Sequence, residues 1–127
     1  MAHITVSADV PEQELGDGIV IQILTGDDSG SDSLRVGTAT FRPGAGLPCH
    51  THDFDESIII LSGAATIFVD GRRRVMGARD TAFVPEGAPH RFANEDPSEP
   101  MVMLWVYAAA SIERNIVDMA LCEVVTD

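Results

Sequence analysis

Apolar and polar positions alternate in short runs along most of this chain. Gly18–Thr25, Leu34–Phe41, Ser57–Leu61, Ala65–Val69, Arg73–Met76, Thr81–Val84 and Met101–Ala108 are mostly rich in Ile, Val, Thr and Phe. Such residues suit a pleated, half-buried surface. Between the runs sit GDDSGSDS, RPGAG, LSG, DG, PEGAP and NEDPSEP, each a cluster of turn-forming residues. Regular short strands with this punctuation predict an all-β sandwich or barrel. Asp70-Gly71, between IFV and RRRV, predicts a two-residue hairpin. The acidic stretch Gly26–Ser33 lacks the glycine and terminal glutamate of a calcium loop and reads as a solvated hairpin tip. Asn94–Pro100 reads as an exposed connection, and Arg72–Arg74 as a solvated strand whose side chains alternate in direction. The tail Ser111–Val125 admits two readings. Ile112, Ile116, Met119 and Ala120 have helical spacing with Ser111 as N-cap, whereas Ala120–Val125 alternates like a strand.

Composition narrows the function. The 127 residues contain no break that separates two units, so residues 1–127 are expected to form one domain with a core of its own. No apolar run approaches the roughly 18 residues of a membrane span. The opening MAHITVSADV has no basic segment ahead of an apolar one, which makes the cytoplasm the expected compartment. Asp and Glu total 20 against 8 basic residues, all arginine, for a net charge of −12. That charge repels phosphate backbones and argues against a nucleic-acid partner. Without lysine there is no Schiff-base chemistry, pyridoxal phosphate anchor or P-loop. Cys49 and Cys122 are too few for a disulfide framework and are expected to be buried small hydrophobes in a reducing compartment.

The candidate chemistry lies in the histidines. His50 and His52 are two apart, so on a strand they share a face and form a natural pair of metal ligands. If Asp53–Asp55 is a bend, Glu56 begins a neighbouring strand beside them. His90, in PEGAPHRF, follows a Pro/Gly turn, and a barrel can bring its strand opposite the first pair. His3 has no such context and reads as exposed.

These residues resemble a family. Gly44-x5-His50-x-His52-x3-Glu56-x6-Gly63 matches the first cupin motif at each fixed position, and Pro85-x-Gly87-x2-His90-x3-Asn94 matches most of the second. The second motif normally opens with a glycine where Arg79 stands, and Gly77 lies two residues earlier, so the local turn is the point of departure. The resemblance covers motif 1 over residues 44–63 and motif 2 over 77–94. It implies a jelly-roll β-barrel of antiparallel strands, a double-stranded β-helix, with the tail as a short C-terminal helix in one reading. It also implies that His50, His52, Glu56 and His90 bind one divalent metal in the barrel mouth.

Three neutral imidazoles and a carboxylate suit Fe, Mn, Ni, Cu, Co or Zn and do not choose among them. Six-coordinate ions would keep two positions for a small oxygen-rich substrate. Cys49 alternates away from His50 and is not counted as a ligand. Ile58, Ile60, Phe92, Met103 and Trp105 are the expected substrate pocket, by alternation from Glu56 and His90 and along the last long strand. Tyr107, the single tyrosine, and Arg42 are the candidate catalytic or substrate-pairing groups. The function expected first is a mononuclear-metal dioxygenase-type oxidoreductase. The alternatives are a redox-neutral isomerase or lyase, and a non-catalytic sensor of a small molecule or metal. Edge strands that need cover predict a homodimer.

Overall fold

A computed structural model describes residues 1–124 of the chain. Its strands are β1 (Gln13–Gly16), β2 (Ile19–Thr25), β3 (Arg35–Phe41), β4 (His50–Thr51), β5 (Glu56–Ser62), β6 (Ala65–Val69), β7 (Arg72–Met76), β8 (Thr81–Val84), β9 (His90–Ala93), β10 (Met101–Tyr107) and β11 (Asn115–Ile116). Each apolar run predicted as a strand forms one. They make a six-stranded sheet, β1-β2-β3-β10-β5-β8, and a five-stranded sheet, β11-β4-β9-β6-β7. All pairings are antiparallel. This is the jelly-roll arrangement.

Alternation sets the core. In β3 and β10 every second residue is buried. Phe41, Ile58, Ile60, Met101, Met103 and Trp105 meet Ile67 and Phe92 of the opposite sheet. Trp105 lies directly across from Gly37. A Cβ at Gly37 would overlap the Trp105 indole and the Gln22 carbonyl, so the indole lies flat only because β3 has no side chain there. Ile58 and Ile60 are wholly buried core residues.

The Arg79 turn keeps the conformation of the glycine it replaces. Arg79 has φ +73°, the left-handed region that L-residues avoid. Its amide donates to the Ile60 carbonyl at 2.7 Å, and Asp80 closes the turn by accepting from the Gly77 amide at 2.9 Å. The neighbouring hydrogen bonds hold the turn against the local preference. Arg72–Arg74 are exposed, as expected.

Several expectations are corrected. Asn94 is not part of an exposed connection: it is buried, and its amide donates to the carbonyls of Phe41, Arg42 and Glu99. Among the described residues the tail holds no α-helix. It pairs β11 with β4 and ends in a single 3-10 turn, Met119–Cys122, capped by Asp118. Helical spacing misleads here because Ile116, Met119 and Leu121 stay exposed and no apolar face is buried by coiling. The alternative strand over Ala120–Val125 does not form among its described residues, where the turn ends at Cys122, and Val125 lies outside the described residues.

Cys49 and Cys122 are also not free hydrophobes. They form a disulfide, with Cα atoms 5.9 Å apart and a sequence separation of 73. The pairing of β11 with β4 carries the tail back across the barrel, and the Val117 amide donates to the Cys49 carbonyl at 3.0 Å. That return brings together two sulfurs which nothing local in the sequence relates. Disulfides persist in oxidising surroundings, so the argument for a reducing compartment loses its premise. No helix among the described residues is long and apolar enough to cross a membrane.

Candidate metal centre

The mouth of the barrel is built where β4, β5 and β9 meet. His50 and His90 are direct cross-strand partners, so their side chains share a face and their rings stand 4.2 Å apart. His52 follows β4 by one residue and keeps the same face. The bend after it is tied to the second motif. The Gly87 amide donates to the His52 carbonyl at 2.9 Å, and the Glu86 amide to the Asp55 carboxylate at 3.0 Å. This bend turns the chain into β5, whose first residue is Glu56. His50, His52, Glu56 and His90 are all at most 2% exposed.

One potential donor atom from each of His50, His52 and His90 lies within 4.8 Å of the others. Ligands of one ion at about 2.1 Å bond lengths stand roughly 3–4 Å apart, so little adjustment is needed. Glu56 Oε1 is 3.0 Å from His52 Nε2 and 3.1 Å from His90 Nε2.

The other ring nitrogens are occupied. Nδ1 of His50 lies 2.9 Å from the Pro48 carbonyl, Nδ1 of His52 3.2 Å from that of Phe54, and Nδ1 of His90 2.8 Å from that of Ala88. A carbonyl can only accept, so each Nδ1 carries the proton of a neutral imidazole. Nε2 of His52 and of His90 then faces a carboxylate with a lone pair. An inward cluster of acceptors lacking a donor is what a cation resolves, and the carbonyl partners are the usual device for aiming ligand imidazoles. The residues present fit a divalent ion.

Electrostatics agree. Burial, above all, lowers His50 to about 4, so its imidazole is neutral at ordinary pH. Burial pushes the Glu56 carboxyl up, but the adjacent His52 and His90 imidazoles outweigh it and hold the group below its usual value. Tyr107 is shifted upward by burial first and by the Glu56 charge second, so it remains a neutral phenol.

A cavity of about 60 Å³ opens beside His50 and Glu56. Phe92, Met103, Trp105 and Tyr107 line it, whereas Ile58 and Ile60 lie in the core and do not. Arg42 is remote from it, exposed and paired with Glu14 at 3.1 Å. Sequence reasoning missed several contributors, among them Phe41 and Leu47 on the cavity wall. Phe54 stacks on His52 with ring centroids 4.3 Å apart and planes 4° apart. Ile112 and Arg114 reach the cavity from the tail. Only the tail's return across β4 brings these two in, and spacing carries no signal of that.

The two sheets and their histidine-lined mouth define a class, the jelly roll with a candidate metal site at its mouth. The model of the Cupin domain family matches residues 37–107, and the protein belongs to that family. Among curated proteins, it is similar to Protein SchB of Streptomyces halstedii, 29% identical over 94 residues, which are 73% of this chain and 68% of that protein. Two longer curated proteins also match, and the chain spans only 22% and 18% of their lengths. Among solved structures it resembles the polyketide cyclase RemF of Streptomyces resistomycificus, with 22% identity, TM-score 0.80, and coverage of 93% of this chain and 87% of that one. A predicted oxalate decarboxylase of Thermotoga maritima follows with 17% identity, TM-score 0.76, and coverage of 84% and 99%. At these identities the structural likeness is one of fold.

Proposed function

We propose that this cupin is a metal-dependent enzyme acting on a small oxygen-rich organic molecule, with His50, His52, Glu56 and His90 as ligands of one divalent transition metal. The observation that carries the reading is the inward convergence of imidazole nitrogens whose Nδ1 atoms are already committed to carbonyls, beside a buried carboxylate. A bound ion would supply Lewis acidity to two adjacent oxygens of a chelating substrate. The chain's own residues do the rest. Phe92, Met103 and Trp105 hold the hydrocarbon part and keep water out. Tyr107, a neutral phenol on the cavity wall, donates a hydrogen bond or a proton to a substrate oxygen.

Redox-neutral chemistry of the cyclase, isomerase or lyase kind is the first reading. The relatives named as a polyketide cyclase and an oxalate decarboxylase favour it, since neither cyclisation nor decarboxylation requires net oxidation. Dioxygenase chemistry is the second, supported by a ligand set that suits iron as well as zinc. The test is turnover of a panel of hydroxy-ketones, diketones and hydroxy-acids by metal-loaded protein. Turnover under strict anaerobiosis supports the first reading and oxygen uptake the second. Binding without turnover in either condition contradicts catalysis and leaves a sensor. We further infer a homodimer through β1, a sheet edge with every residue exposed. A sedimentation mass of one chain at micromolar concentration contradicts it.

A further inference from the structure

The tail carries something the metal chemistry does not use. Residues from Ser111 to Cys122 run back over the barrel mouth, fastened by the β11–β4 pairing and by the Cys49–Cys122 disulfide. The registered pairs are Ile116 with His50 and Asn115 with Thr51, so Arg114 comes next, in line with His52. Arg114 is half-buried and lines the cavity as its single arginine. Among the described residues it has no ion-pair partner and no side-chain hydrogen bond, although Arg35, Arg42 and Arg73 each have an acidic one. Arg72, Arg74, Arg79 and Arg91 likewise have no acidic partner among the described residues, but none of them lines this cavity, where Glu56 is the carboxylate.

We propose that Arg114 is a specificity-determining residue that reads an anionic group, a carboxylate or enolate, on a substrate whose compact apolar body fills the cavity. This deepens the metal-enzyme reading and rests on it. The apolar wall of Phe41, Phe92, Met103 and Trp105 takes the body of the molecule. The ion would hold one end, and the guanidinium supplies a planar fork of donors matched to two oxygens at the mouth. Ile112, from the same strap, closes the apolar wall beside it. The β11 pairing and the disulfide hold the strap in place, so the arginine is positioned before the ligand arrives.

The test uses the full chain loaded with Zn(II), its metal content measured on the same samples, and two probes of nearly equal shape, propionate and propionamide, small enough for the cavity and followed by calorimetry. Wild type binds propionate more tightly than propionamide. Arg114→Gln weakens propionate about tenfold or more, the scale of a lost charge-assisted hydrogen bond, and leaves propionamide within about twofold. Arg114→Lys recovers part of the propionate affinity, because charge is restored without the fork. A chain that holds zinc but binds propionate equally as wild type and as Arg114→Gln overturns the anion reader alone, because the ion would then account for the affinity. Equal affinity of wild type for both probes, or none for propionate, overturns it as well. A chain that takes up no zinc overturns the metal-enzyme reading together with this one.

Discussion

Replacing Cys122 with serine cuts the disulfide that ties the tail back to the barrel. The disulfide joins residues 73 apart, and the loop-closure relation for a cross-link of that span gives roughly 4 kcal/mol of destabilised unfolded chain. Native contacts of the tail are sparse. Its strand pairs over two residues, and Met119 and Leu121 are exposed, so little packing remains to compensate. Residual structure in the unfolded chain reduces the effect, and the expected loss is about 2–4 kcal/mol. With an unfolding entropy of about 2.1 cal/mol/K per residue, this lowers Tm by roughly 10 °C for a chain of 127 residues. Urea unfolding of wild type and Cys122→Ser measures the loss directly, and wild type kept in a dithiol reductant should match the variant. Thiol titration of the unfolded, unreduced wild type should find no free thiol. Two free thiols, or unfolding midpoints that coincide, would refute the reasoning.

Three further outcomes follow from particular residues. Arg79→Gly should stabilise the protein by about 0.5–1 kcal/mol, because relief of left-handed strain exceeds the entropic cost of glycine; a lower Tm contradicts that account of the turn. Gly37→Ala should cost about 1–3 kcal/mol or more and shift the fluorescence of the only tryptophan, since the new methyl meets the Trp105 indole; unchanged stability and emission contradict that packing. Tyr107 has a folded pKa above its ordinary value of 10.0, so stability from the buried neutral phenol is whole below pH 10 and is lost as the pH rises beyond it. As the chain has one tyrosine, its phenolate absorbance should appear together with alkaline unfolding; ionisation in folded protein near pH 10 contradicts its burial.

Most of the fold was legible because period-two alternation dictates which side of each strand is buried, and β3, β5 and β10 follow it closely. The metal-site candidates were legible as a resemblance, carried by His50, His52, Glu56 and His90 in their motifs. The reason they face one another is not local. It lies in the His50–His90 register and in the hydrogen bonds from Glu86 and Gly87 to the bend after His52. The tail was misread for the same reason. Nothing between Ser111 and Val125 announces a return across β4, so the disulfide and the reach of Ile112 and Arg114 into the cavity stayed hidden. Arg42 was singled out because it adjoins the first motif. The fold turns it outward to Glu14, while the arginine that borders the cavity lies 72 residues further along.

The claim beneath the functional reading is that side chains from two motifs share one ion. X-ray absorption at the edge of a metal reconstituted into the protein reads this most directly. The account predicts one ion per chain with three imidazole nitrogens and a carboxylate oxygen in its shell, and loss of one nitrogen or of the ion itself in His52→Ala. A shell with one imidazole or none, unchanged by that substitution, would contradict it.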